Sequence, residues 1–208
     1  MQVKVNLQIF VFIIIFVLTR QIEIYSWLML FAFVHEMGHL VVGIMLGLKP
    51  KSLHIMPFGL TVVFETYSKK KTVEIKKLLI AIAGPLVNML IVVAIWFSNI
   101  SPDIRQTIIY SNILIFVFNL IPMYPLDGGR IVKELLMLRC DRVIAEKIIN
   151  QMSNIIIIVL TVVSSILVVY FRNVSIFFVI MYLWVIVVRE NRNYRTKKRI
   201  YDVINTPY

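Results

Sequence analysis

Apolar residues in this chain fall into six long blocks, at roughly residues 4–19, 23–47, 77–97, 104–122, 154–171 and 174–188. Each block is of helix length, and a helix needs about 20 apolar residues to cross a hydrocarbon core of about 30 Å. The first and last blocks are short on that measure and reach across only with their flanks. The pattern predicts an all-α polytopic membrane protein: one domain of six transmembrane helices over residues 1–190, then a basic tail over 191–208. The run from Val3 to Leu18 lacks a small-residue cleavage site, which predicts a retained helix and not a signal peptide.

Two stretches between the blocks carry other periods. Lys49 to Glu65 is rich in β-formers, with Pro57, Phe58 and Gly59 marking a turn. It predicts a small β-hairpin-like loop at the membrane. Such a loop either packs at the interface or pairs with an extended substrate strand. Residues 128–152 place apolar side chains at helical spacing, with Arg130, Lys133, Arg139, Arg142 and Lys147 interleaved. That predicts an amphipathic helix pair on a membrane surface. No internal repeat is visible.

Composition sharpens this picture. The chain is 60% hydrophobic, above the roughly half of a soluble domain. Cys140 is alone, so neither an intrachain disulfide nor a Cys-rich metal site is available. The net charge of +11 suggests nucleic acid or an anionic membrane surface. Its distribution decides between them. With six spans, all of the 22 Lys and Arg residues except Arg20, Arg105 and Arg172 fall on one side. Topology thus accounts for the charge, and nucleic acid is excluded as a partner. The positive-inside rule makes that side the cytoplasm and puts both termini there. The tail after Val188 is suited to anionic lipid.

The candidate chemistry sits inside the second block, as His35-Glu36-Met37-Gly38-His39. Histidines four apart on a helix share a face, about 6 Å apart along the axis. They can bind one zinc ion, with the intervening Glu36 as general base. Ionisable groups at bilayer depth are costly and point to function. A catalytic zinc takes a third protein ligand and keeps a fourth position for water. His54 is one candidate, in the β-like loop. Asp127 is preferred: it ends a stretch in which Pro122 and Pro125 forbid regular helix, and two glycines follow it. Irregular backbone at membrane depth survives only when buried or lining a wet cavity. By itself Asp127 would read as a helix N-cap. Asn88, in Gly84-Pro85-Leu86-Val87-Asn88 near the start of the third block, is either an interhelical hydrogen bond or a polar group aimed at the site. Gly38, Gly43 and Gly47 read as small residues for tight helix packing.

Together these elements resemble the site-2 protease family of intramembrane metalloproteases, and its sporulation branch most of all. His35 to His39 matches the H-E-x-x-H of that family, Gly84 to Asn88 its G-x-x-x-N, and Asn119 to Gly128 its N-x-x-P-x-x-P-L-D-G. The resemblance implies one zinc ion per chain on His35, His39 and Asp127, with Glu36 as catalytic base. It implies that Asn119 and Pro125 shape the active-site region. It also implies a membrane-associated protein substrate, such as a transcription-factor precursor or an anti-sigma factor, and a membrane-protein inhibitor or activator. Members of the sporulation branch often carry a CBS domain after the last span. Only about twenty residues follow Val188 here, which puts any nucleotide response in doubt. Two other readings compete: an H-E-x-x-H membrane protease of the CAAX-processing or stress type, and a non-catalytic ion-binding membrane protein.

Overall fold

The computed structural model describes residues 2–5, 8–56, 59–64, 71–172 and 175–205. Pro57 and Phe58, at the expected turn, lie outside the described residues. In chain order the elements are β1 (Gln2–Val5), α1 (Gln8–Leu18), α2 (Ile22–Met45), β2 (Pro50–Met56), β3 (Gly59–Phe64), α3 (Lys71–Trp96), α4 (Pro102–Asn119), α5 (Asp127–Arg139), α6 (Arg142–Phe171) and α7 (Ser175–Asn205). They divide into two units, residues 1–120 and 121–208.

The first unit is a helical group with a small sheet. α2, α3 and α4 pack around Phe31, Ile108 and Ile115, joined by Trp27, Leu28, Ala32, Ile91 and Ile95. β2 pairs antiparallel with β3 and parallel with β1, giving the order β1-β2-β3. The two strands expected in the loop are present, while β1 was not foreseen. It takes the start of the first apolar block, where Gln2, Val3, Lys4 and Val5 alternate with the period of a strand. The remaining helix α1 has 11 residues and rises only about 16 Å. The block therefore does not form the single spanning helix expected over 4–19.

Among the described residues, three helices are long and apolar enough to cross a membrane: Ile22–Met45, Val73–Trp96 and Arg142–Tyr170. They mark an integral membrane protein. α4 falls short of that standard: Asp103, Arg105 and Gln106 lie near its start, and Ser111 and Asn112 are buried beside Ile108 and Ile115. Gly84 and Pro85 lie in the middle of α3, not near its start, because the helix begins at Lys71. Gly38 packs as expected: a Cβ there would press on Val87 and the Ala83 carbonyl of α3. Gly43 lies under the Phe64 ring of β3. Gly47 does something else. It has open space around it and a φ of +76°, so it turns the chain out of α2 in a conformation that glycine adopts freely. Lys76 Nζ then donates to the Leu46 carbonyl at 2.7 Å and satisfies an acceptor at that helix end.

The second unit consists of an irregular segment and three helices. α5 is the amphipathic helix expected after residue 128. The second helix expected there is not separate: α6 begins at Arg142 and runs without a break through the apolar block. No Gly or Pro interrupts that run. α7 likewise continues from its apolar start through the basic tail to Asn205. Trp184 Nε1 donates to Thr161 Oγ1 and Asn191 Nδ2 to Asn154 Oδ1, tying α7 to α6. Glu146 of α6 gathers Arg142 at 3.1 Å, Lys133 of α5 at 3.5 Å and Lys197 of α7 at 3.7 Å.

Candidate metal centre

The two histidines, and the residues of the neighbouring helix that meet them, are spaced four apart on their helix faces. α2 contributes His35 and His39, both buried, with Glu36 between them. α3 contributes Ile80, Gly84 and Asn88 along one face. His39 Nδ1 lies 2.6 Å from the Ile80 carbonyl oxygen. A carbonyl can only accept, so Nδ1 carries the proton and the Nε2 lone pair is exposed to the site. Pro85 lies just beyond this turn; its missing N–H and its ring loosen the ladder around Ala81. His35 Nδ1 lies 2.5 Å from Asn88 Oδ1, and Asn88 is fully buried.

The two Nε2 atoms are 3.2 Å apart. With both protons on Nδ1, two lone pairs face each other, and a cation there relieves the repulsion. The separation fits zinc: at the usual Zn–N distance of about 2.0–2.1 Å, it corresponds to an N–Zn–N angle of about 100–106°, close to tetrahedral. Gly84 keeps the space open, because a Cβ there would collide with both Nε2 atoms. The residues of this unit thus fit half of a tetrahedral metal site.

The Glu36 carboxylate stands beside the pair. Oε2 is 3.9 Å from His39 Nε2. Oε1 accepts a 2.7 Å hydrogen bond from the backbone N–H of Val62. Among the described residues β3 is an edge strand, with β2 on its other side. Its free edge therefore meets the candidate base, a contact the motif did not announce.

In the second unit, Asp127 is the first residue of α5 and is 4% exposed. The N-cap position belongs to Leu126, so Asp127 does not serve as the N-cap. A carboxylate in the first turn is favoured by the helix dipole. Arg130 Nη1 approaches Asp127 Oδ1 at 3.5 Å. The segment ahead of α5, which includes Pro125, folds back tightly: Leu126 N–H donates to the Met123 carbonyl, and Tyr124 N–H to Ser153 Oγ. Gly129 permits the close approach, since a Cβ there would strike the backbone of Met123 and Tyr124. Asn119, at the end of α4, donates to the Ile115 carbonyl of its own helix. Gly59 opens β3. His54 lies in β2.

A membrane helix group around an H-E-x-x-H pair is the architecture of an intramembrane metallopeptidase. The comparisons agree. Residues 8–125 match the family model Peptidase M50B-like, and residues 98–163 match Peptidase family M50. The chain belongs to this family, that of the site-2 proteases. It is similar to stage IV sporulation protein FB of Bacillus subtilis, 29% identical over 62% of this chain and 46% of that protein. It is also similar to a zinc metalloprotease of Methanocaldococcus jannaschii, 32% identical over 49% of this chain and 31% of that protein. The chain thus spans less than half the length of these curated relatives. The fold matches the solved structure of a site-2 protease from Methanocaldococcus jannaschii with a TM-score of 0.70 at 21% identity, covering 90% of this chain and 89% of that one.

Proposed function

We propose that this chain is an intramembrane zinc endopeptidase. The observation that carries the reading is the pair of Nδ1-anchored imidazoles converging at 3.2 Å beside the Glu36 carboxylate. His35 and His39 supply two zinc ligands through Nε2, and Asp127 supplies the third. The burial of Asp127, its tightly folded approach segment and its place in the family motif support that assignment. One zinc ion is held per chain. When bound, zinc lowers the pKa of a coordinated water to about 7 and polarises a carbonyl. Glu36 takes the proton of the attacking water on Oε2 and passes it to the leaving amide nitrogen.

The substrate is a membrane-associated or transmembrane protein cut near the cytoplasmic face. A transcription-factor precursor or an anti-sigma factor is the class favoured by the likeness to the sporulation branch. Both termini and the site opening are cytoplasmic in this reading. Concentration of Lys and Arg on one set of loops supports this sidedness. The basic end of α7 contacts anionic lipid, and a membrane-protein inhibitor or activator controls access. The free edge of β3 holds the substrate in extended form, since strand addition at an edge uses main-chain groups alone. Asn119 and Pro125 shape the chain entering Asp127.

The test is co-expression with candidate membrane-tethered precursors. Wild type releases a soluble fragment, while Glu36→Gln keeps its zinc and releases none. Sustained cleavage by Glu36→Gln overturns the mechanism.

A further inference from the structure

Asn112 of α4 belongs to none of the recognised motifs, yet it ends a buried chain that leads to a histidine. Asn88 Nδ2 donates to Asn112 Oδ1 at 2.9 Å, and Asn112 Nδ2 donates to the Ile108 carbonyl at 2.8 Å. Both asparagines are fully buried. An amide side chain has nearly the same shape either way round, so only its partners decide which end is oxygen.

The decision here starts from a group with no choice. The Ile108 carbonyl can only accept, so Asn112 must turn its NH2 toward it and its oxygen toward Asn88. Asn88 must then present NH2 to Asn112 and oxygen to His35. That oxygen requires a proton on His35 Nδ1, which leaves the Nε2 lone pair for metal. His39 needs no such relay, because the Ile80 carbonyl fixes it directly.

The geometry assigns Asn112 as a positioning residue that sets the tautomer of His35 by orienting the Asn88 amide. The assignment rests on the proposal that His35 is a zinc ligand. A merely structural hydrogen bond between α3 and α4 would hold the helices together but would not depend on which atom of residue 88 faces His35. That difference gives the test. In Asn88→Asp both terminal atoms are oxygens, so no orientation remains to be set.

The experiment uses the full chain purified in detergent, with zinc affinity measured by chelator competition. Outer partners of metal-bound histidines are typically worth about 10–100-fold in affinity, and Asn112→Leu is expected to lose that much. In the Asn88→Asp background the same change is expected to cost less than about threefold. Asn112→Asp, kept neutral by full burial, donates its O–H to the Ile108 carbonyl, retains an oxygen for Asn88 and is expected to stay within about threefold of wild type. A second readout needs no metal. With only three histidines in the chain, the nitrogen chemical shifts of His35 are assignable, and in the zinc-free protein Asn112→Leu shifts its proton partly from Nδ1 to Nε2. Equal losses in both backgrounds, a loss in Asn112→Asp as large as in Asn112→Leu, or an unchanged His35 tautomer each overturn the assignment. His35→Ala separates the two levels. If it leaves zinc affinity intact, the proposed site itself fails; if it abolishes binding while Asn112→Leu does not, only the role of Asn112 fails.

Discussion

A single absent methyl group decides whether the two histidines can meet a metal. Gly84 faces both Nε2 atoms at a distance no side chain could share. In a helix interior, alanine is favoured over glycine by about 1 kcal/mol, which in Gly84→Ala offsets only part of the cost of about 1–3 kcal/mol for crowding the two imidazoles. The substitution should lower zinc affinity at least about tenfold, read by metal analysis after dialysis against a chelator. Full zinc occupancy in that variant would contradict the placement of the ion. The carboxylate is tested separately. Asp127→Asn keeps the shape and removes the charge; zinc content and cleavage should fall together, while normal values for both would remove Asp127 from the ligand set. Of these residues, the histidine pair and Glu36 stand out in the sequence by their spacing, and the prolines near Asp127 single it out as a candidate. Gly84 and Asn112 were not read for what they do. A helix-face pattern at 108, 111, 112 and 115 was the available signal for Asn112, since it puts an amide where apolar residues are expected.

At the level of elements, the free edge of β3 is the unexpected participant. Its Val62 N–H reaches the Glu36 carboxylate and not a neighbouring strand. Proline is tolerated on an edge where the N–H does not join the ladder, so Val62→Pro removes this one donor while sparing the pairing with β2. A hydrogen bond to a charged group is worth about 1.5–3 kcal/mol. Cleavage should therefore fall about tenfold or more, with zinc content unchanged. A parallel loss of zinc would mean that the strand supports the metal site and not the base. Strand character was visible in the sequence because β-formers cluster on both sides of Pro57 and Gly59. Which edge remains free was not, because that depends on β1 arriving from the far end of the unit to cover β2. The long reach of α6 and α7 was likewise hidden: both continue across the polar-to-apolar change, and hydrophobicity marks a membrane boundary without ending a helix.

For the molecule as a whole, charge and hydropathy make a statement about sidedness that the native thiol can test. Cys140 is exposed and is the only cysteine, between α5 and α6. With that connection in the cytoplasm, a membrane-impermeant maleimide should label inside-out vesicles and leave intact cells unlabelled. A Ser101→Cys substitution in a Cys140→Ser background, between α3 and α4, should show the opposite pattern. Labelling of Cys140 in intact cells would reverse the proposed topology.

The sequence by itself determined the chemistry and its setting. A helix fixes which residues share a face, so two histidines and a glutamate at that spacing define a metal-binding set wherever the helix lies. Long apolar blocks place that helix in a membrane, because backbone polar groups there must be satisfied within the segment. Tertiary structure decided what surrounds the set: the carbonyl that fixes His39, the two amides that fix His35, the strand edge that holds Glu36 and the glycine that leaves room between them. Each of these is a contact between residues distant in the chain, made by groups that sequence pattern treats as interchangeable. A backbone carbonyl looks the same at every position until a neighbouring helix turns a particular one toward an imidazole.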